Sequence, residues 1–286
     1  MLRAKITARK LPYWLRRPLP AGGNYERTGR VLERLGLRSV CTDANCPNRG
    51  VCWQKGTATI LILGPACTRN CRFCSVAGGR PSAPDPAEPG RIARFVEQLQ
   101  VKYLVLTSVT RDDLPDGGAG HFRDCIRQVR RRCPGVKFEI LVPDFRHCQT
   151  EALEVLRGAL PFVFAHNVET VPRLYRSARP GADYQDSLRL LELAKTSYHR
   201  IETKSSIMLG LGESDREVMD VLTDLRRVGC SRITIGQYLK PSAGSLDVVE
   251  YVRPEKFGYW REVALSLGFS RVCCEPYARS SYLAGP

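Results

Sequence analysis

The 286-residue chain carries 44 Lys and Arg against 29 Asp and Glu, a net charge of +15, with 43% hydrophobic and 26% charged residues. This is the balance of a soluble globular protein with room for a buried core in one or two domains, and without an apolar run of about eighteen residues it has no membrane-spanning helix. The excess of basic residues points to an acidic partner: a nucleic acid, an anionic cofactor or an acidic protein.

The opening stretch MLRAKITARKLPYWLRRPLP has no acid and no apolar h-region, so no secretory signal is expected. It also has no Ser and three Pro, which speaks against a transit peptide. Twelve cysteines without an export signal fit a reducing compartment. The expectation is a cytoplasmic protein, with organelle targeting left open.

The first candidate strand is ATILIL (58–63), followed by the cysteine-rich CTRNCRFC (67–74) and the Pro/Gly-rich linker GGRPSAPDPAEPG (78–90). From there helical and strand patterns alternate. Helix 91–100 precedes strand KYLVLTS (102–108), helix 120–132 precedes KFEILV (137–142), and helix 150–158 precedes FVFAHN (162–167). Helix 187–196, delayed by Pro172, precedes KSSIMLG (204–210). Helix 215–229 precedes RITIGQ (232–237), and helix 254–268 closes the series. Six strands each followed by a helix imply parallel βα units with right-handed crossovers. The expected fold is α/β: a partial (β/α)6 TIM-like barrel or, as competitor, a doubly wound open sheet.

Six of the cysteines form two sets of three: Cys41, Cys46 and Cys52 (C-x4-C-x5-C), then Cys67, Cys71 and Cys74 (C-x3-C-x2-C). Structural zinc takes four ligands, often in paired C-x2-C knuckles, whereas only one such pair exists here and no His lies nearby. Two triplets suit two iron–sulfur cubanes better, and three thiolates on four irons leave one iron open to another ligand. Cys125, Cys133, Cys148, Cys230, Cys273 and Cys274 read as small buried hydrophobes.

In βα barrels the strands' C-terminal ends carry the ligand groups. Here those ends hold Thr107, Ser108, Arg111, Asp112 and Asp113; His166, Asn167 and Glu169; Lys204 and Ser206; and Gln237, Tyr238 and Lys240. Taken singly, DDLPDGG reads as a solvated turn and Lys204 as a snorkelling surface lysine. His121 and His147 read as surface residues, and His199 as lying near a helix end.

C-x3-C-x2-C with Phe73 before its last cysteine, placed just after the first strand, resembles the signature of the radical S-adenosylmethionine (SAM) superfamily. That resemblance implies a partial (β/α)6 barrel, and a 4Fe–4S cluster on Cys67, Cys71 and Cys74 whose open iron chelates SAM. It also implies cleavage of SAM to a 5′-deoxyadenosyl radical. Thr107, Ser108, Asn167, Glu169 and Lys204 are the expected SAM contacts.

From about Lys10 to Gly285 the chain further resembles the lipoyl synthase family, on PYWLRRPLPAGGNYERT, VCTDANCPNRGVCW, GPACTRNCRFCSV, TSVTRDDLPDGGAGHF, AHNVETVPRLY, TKSSIMLGLGE and RSSY (279–282). The resemblance implies a sulfurtransferase that inserts two sulfur atoms, at C6 and C8, into an octanoyl chain on a carrier-domain lysine. It implies an auxiliary 4Fe–4S cluster on Cys41, Cys46 and Cys52 as sulfur source, with Ser281 as fourth ligand and Ser280 as runner-up. An alkoxide is a poorer match for cluster iron than a thiolate, so the serine-bound iron is expected to be the labile one. The catalytic set is then Cys67, Cys71, Cys74 and Ser281.

Implied partners are octanoylated lipoyl carrier domains (2-oxoacid dehydrogenase E2, glycine cleavage H protein), a ferredoxin- or flavodoxin-type electron donor and an iron–sulfur carrier. A monomer is expected, with neither membrane nor nucleic-acid binding. The expected division is an N-terminal extension (1–54), the barrel (55–250) and a C-terminal helix and tail (251–286). VCCEPYARSSY and AGSLDVVEY (243–251) depart from the family's usual pattern; the first brings Cys273 and Cys274 near the serines. The competing readings are another radical SAM sulfurtransferase, biotin synthase-like or a tRNA methylthiotransferase, and a non-catalytic zinc module that binds nucleic acid. The RQVRRR run (127–132) lacks the aromatic interleaving of an RNA-reading surface.

Overall fold

The computed structural model describes residues 11–17, 22–282 and 284. The basic opening through Lys10, residues 18–21 of the PYWLRRPLPAGGNYERT stretch, and Gly285 lie outside the described residues.

In chain order the elements are α1 (Gly23–Arg34), β1 (Arg38–Ser39), α2 (Val40–Asp43), α3 (Arg49–Gln54), β2 (Thr59–Ile62), β3 (Ala66–Cys67) and β4 (Ala77–Gly78). Then come α4 (Glu88–Leu99), β5 (Tyr103–Ser108), α5 (Ala119–Arg132), β6 (Lys137–Leu141), α6 (Gln149–Arg157) and β7 (Val163–Ala165). The chain continues through α7 (Tyr175–Ala178), α8 (Tyr184–Ser197), β8 (Thr203–Leu209), α9 (Asp215–Arg227), β9 (Arg232–Gln237), α10 (Pro254–Ser266) and β10 (Arg271–Cys274).

Eight strands form one sheet in the order β1-β2-β5-β6-β7-β8-β9-β10. All neighbours are parallel except β1, which runs antiparallel to β2. Among the described residues no pairing joins β1 to β10, so the sheet is not closed. This is the partial barrel with its six predicted strands in place. It gains a parallel strand, β10, that the sequence reading left in the tail, and a short antiparallel edge, β1.

Strand faces alternate. Leu104, Leu106, Phe138 and Ile140 pack outward into the helix layer, each at most 2% exposed. The opposite face of β5, β6 and β8 lines the interior and carries a polar layer. Tyr103 donates its hydroxyl to Glu139 Oε2 (2.9 Å), and Lys204 Nζ donates to Glu139 Oε1 (2.7 Å) and to the Ser280 carbonyl (2.5 Å). Lys204 is therefore a buried, paired residue and not a snorkelling surface lysine; its stem points into the barrel, away from solvent.

Helix starts follow local capping. Asp183 accepts from the N–H groups of Gln185 and Asp186, which sets α8 three residues earlier than periodicity alone suggests. Ser214 and Glu217 form a capping box at α9. Pro172 opens a 3₁₀ turn ahead of α7, so the long helix of that unit does start late.

The two ends of the chain meet. The Tyr277 hydroxyl donates to the Leu15 carbonyl (2.5 Å), the Arg17 guanidinium stacks 3.8 Å over the Tyr277 ring, and Asn48 Nδ2 donates to the Tyr277 carbonyl (2.7 Å).

Candidate functional site

A cavity of about 240 Å³ sits at the C-terminal ends of the strands. Cys67, Cys71 and Cys74 line it together with Thr107 and Ser108 from the end of β5 and His166, Asn167 and Glu169 from just beyond β7. Of the expected SAM contacts, four are brought together here. Lys204 is not; it belongs to the polar layer below.

The cysteine loop is held by side chains far away in sequence. Arg69 makes a two-pronged pair with Asp112 (2.8 and 2.9 Å) and reaches Asp144 Oδ2 (2.5 Å). Thr68 donates its hydroxyl to Asp112 (2.9 Å), and the Arg72 N–H donates to the Ala178 carbonyl (2.8 Å). DDLPDGG is a partly exposed turn, but its first two aspartates are paired and do more than face solvent. Asp112 clamps the loop, while Asp113 pairs with Arg111, a side chain 1% exposed that also donates to the Leu63 carbonyl. The departing segment 243–251 touches the same loop: the Leu246 N–H donates to the Arg72 carbonyl (2.8 Å).

Backbone N–H groups point at the sulfurs. Those of Arg69 and Thr110 lie 3.4 and 3.3 Å from Cys67 Sγ, and that of Val76 lies 3.4 Å from Cys74 Sγ. Hydrogen bonds of this kind stabilise thiolates bound to iron–sulfur clusters. Burial pushes the Cys74 thiol up to about 11, and burial also raises Cys71 against the opposing charge of Arg179. Such thiols become thiolates only with a cation to offset them, as when metal binding releases their protons.

Four buried polar atoms of residues lining this cavity have no hydrogen-bond partner among the described residues: Ser108 Oγ, Asp144 Oδ1, His166 Nε2 and Arg179 Nε. Buried polar groups are normally paired, so this set is matched to a ligand that brings its own donors and acceptors. Such a ligand carries amine, carboxylate and hydroxyl groups, as SAM does. His166 Nδ1 faces the Val142 carbonyl (3.0 Å), which leaves Nε2 as an acceptor. Burial, then Arg179, lower its pKa to about 4.

Glu169 holds a left-handed backbone (φ 67°) and exchanges backbone hydrogen bonds with β8. That conformation is costly for a non-glycine and aims its carboxylate at Asn167 Nδ2 (3.0 Å). Burial raises its pKa, opposed by Arg179.

Apart from Arg69 and Thr110 the rest of the lining is apolar, and includes Leu61, Phe73, Val76, Val109, Val40 and Ala44. Val40 opens α2, the helix that carries Cys41. The cavity therefore runs from the first cysteine set to the wall of the second.

In the second set Cys41 is 4% exposed, and Cys46 and Cys52 are half-buried. Burial is the larger effect and takes Cys52 up to about 12; behind it, Cys41 raises the pKa of Cys46, and Cys41 and Cys46 raise that of Cys52. The backbone of Asn48, a fully buried residue, works against that rise at Cys46. Among the described residues no three His, Cys, Asp or Glu side chains converge on a single-ion position.

The tail serines divide between two places. Ser280 donates its hydroxyl to Asn167 Oδ1 (2.9 Å), while Ser281 shares a second cavity with Cys52. Between the sets lies Arg279, whose charge acts on both Cys46 and Glu169. Cys274 Sγ faces the Phe257 carbonyl (3.0 Å), and Cys273 feels Glu275 and Lys204; neither is among the groups acting on Cys46 or Cys52.

Sequence reasoning missed Arg69, Asp144 and Arg179, and ranked His166 below its neighbours. It placed His121 at the surface, whereas His121 Nε2 packs 2.7 Å from Glu88, with its side chain 10% exposed. His147 and His199 are exposed.

A family model for the radical SAM superfamily matches residues 61–225. A lipoyl synthase of Syntrophotalea carbinolica is 52% identical over 273 residues, covering 96% of this chain and 88% of its own. One from Proteus mirabilis is 50% identical over 274 residues, covering 96% and 85%. Among solved structures, Streptococcus suis SuiB bound to S-adenosylmethionine aligns with a TM-score of 0.57 at 12% identity, over 75% of this chain and 49% of that one. Methylornithine synthase aligns at 0.56 and 14% identity, over 78% and 75%. At those identities the likeness is one of fold.

Proposed function

The chain belongs to the lipoyl synthase family of the radical SAM superfamily, and on that basis we propose that it inserts sulfur at C6 and C8 of an octanoyl chain carried on a lipoyl-domain lysine. Its cofactors are SAM and two 4Fe–4S clusters. When bound, the first cluster supplies the electron that cleaves SAM to a hydrogen-abstracting radical, and the second supplies the sulfur.

The proposed ligands are Cys67, Cys71 and Cys74 for the first cluster, and Cys41, Cys46, Cys52 and Ser281 for the second. Ser281 is preferred to Ser280 because the Ser280 hydroxyl and carbonyl are already engaged by Asn167 and Lys204. Thr107, Ser108, Asn167 and Glu169 are proposed to position SAM, with His166, Asp144 and Arg179 added and Lys204 assigned instead to holding the tail. His166, neutral near pH 7, offers Nε2 as an acceptor. The apolar lining from Phe73 to Val40 takes the acyl chain and excludes water from the radical's path.

The observation that carries this reading is one cavity joining the first cysteine set to the helix bearing Cys41. The division of labour follows as a proposal: 1–54 and 251–286 supply the auxiliary site, and 55–250 the radical chemistry. Candidate carriers are E2 and H protein domains. A ferredoxin- or flavodoxin-type donor and an iron–sulfur carrier would serve the clusters, in the cytoplasm. Among the described residues no helix is long and apolar enough to cross a membrane.

The test is to count iron and sulfide in anaerobically purified protein, then in a Cys41→Ala, Cys46→Ala, Cys52→Ala variant. About eight irons falling to about four, with loss of lipoyl formation on an octanoylated carrier, supports the reading. About four irons unchanged by the substitutions, or zinc in their place, refutes it.

A further inference from the structure

The second cavity, of about 310 Å³, lies at the opposite end of the strands from the first. Thr59 and Tyr103, the first residues of β2 and β5, line it, whereas the first cavity is lined by Thr107 and Ser108 at the end of β5. The polar layer of Tyr103, Glu139, Lys204 and the Ser280 carbonyl stands between the two. Cys52 and Ser281 reach the second cavity. Lys55 and Lys102, both exposed, stand at its rim, and among its described lining residues there is no carboxylate.

Resting on the sulfur-donating role proposed above, we infer that this cavity is a separate entrance to the auxiliary ligand set, built to admit small sulfur anions such as hydrosulfide. A site that gives up two sulfurs per product must be resupplied at its ligands. SAM and the acyl chain fill the other entrance. Two rim lysines, with no carboxylate among the described lining residues, raise the local concentration of an approaching anion. The route ends on the serine-bound corner of the set, where the weakest iron ligand sits.

The test follows iron loss from the SAM-saturated holoenzyme with two chelators, anionic EDTA and neutral bipyridyl; the Cys41→Ala, Cys46→Ala, Cys52→Ala variant supplies the background from the other cluster. Lys55→Glu with Lys102→Glu should slow EDTA-driven loss about threefold or more at low salt and leave bipyridyl unchanged, with the difference vanishing near ~1 M salt. Ala58→Phe, which fills the cavity, should slow both chelators while keeping the parent's urea midpoint. Loss unaffected by the charge reversal, or slowed equally for both chelators, overturns the entrance, as does loss unaffected by Ala58→Phe. These results leave the proposed function standing if the cysteine variant still removes about four irons. If that variant removes none, the function and the entrance fall together.

Discussion

Replacing Lys204 by Met tests whether the polar layer holds the C-terminal tail. The Lys204 ammonium lies 2.7 Å from Glu139 Oε1 and 2.5 Å from the Ser280 carbonyl, and Glu139 is fully buried. Without the ammonium, the Glu139 carboxylate keeps one donor, the Tyr103 hydroxyl at 2.9 Å. Breaking a buried pair from one side costs ~3–5 kcal/mol, and the remaining donor argues for the lower end, about 3 kcal/mol. The Ser280 carbonyl loses its donor at a further cost of about 1 kcal/mol. The expected loss is therefore about 4 kcal/mol in anaerobic urea unfolding, together with loss of auxiliary iron as Ser281 is released. Adding Glu139→Leu removes the stranded charge and should recover about half of the stability, but not the iron. A Lys204→Met variant within about 1 kcal/mol of the parent, or one that keeps all its iron, would refute the assignment.

Other positions make separate demands. At Gly236 in β9 an added Cβ would sit 2.1 Å from the Ala278 carbonyl oxygen and 3.1 Å from Arg279 Nη1. Gly236→Ala should expel the tail at a cost of about 2 kcal/mol, read as new proteolytic cutting after Pro276 and falling iron content; an uncut, fully loaded protein would contradict this. His166, held near 4 against an ordinary 6.5, takes up a proton on unfolding between those values. The native state should therefore lose up to about 3 kcal/mol as pH falls from 6.5 to 4, and His166→Gln should flatten that slope in urea titrations. Ser281→Cys should keep about eight irons yet slow sulfur transfer, since a fourth thiolate holds the labile corner. Ser280→Ala should keep the iron and raise the KM for SAM severalfold through Asn167. Full activity in Ser281→Cys would remove the serine from the mechanism.

The barrel was legible because strands such as β2 and β5 hold runs of apolar residues and the six strands alternate with helical patterns at regular spacing. β10 was not, because RVCC is short and every residue in it is half-buried, so no run or alternation marks it. The six cysteines proposed as cluster ligands stand out in the sequence by spacing, as C-x4-C-x5-C and C-x3-C-x2-C. Arg69, Asp144 and Arg179 were invisible for the opposite reason. Arg69 pairs with Asp112 and Asp144 across 43 and 75 residues, and nothing local announces such a pair. Lys204 was visible as a polar residue on a strand, but its partner Glu139 lies 65 residues away, and without that partner a surface reading was reasonable. Ser281 rested wholly on family resemblance; the structure adds that its neighbour Ser280 is already engaged.

The proposed auxiliary set differs from the proposed first set in drawing on both ends of the chain. The first cavity draws its polar side chains from residues 67–179, within the barrel itself. The second set draws on α2, α3 and the tail, which meet through Tyr277 with Leu15, Arg17 and Asn48, across as many as 262 residues. Loop-closure cost rises only slowly with length, so these contacts can hold, but each end lacks a partner without the other. A chain stopped after Pro276 should therefore keep about four irons and still cleave SAM to 5′-deoxyadenosine, while losing the auxiliary iron and all lipoyl formation. Iron counts and product analysis on the same preparation decide it. A truncated chain that retains about eight irons would show that the three cysteines close their site unaided. One that loses all its iron would show that the tail supports the barrel itself through Lys204 and Asn167.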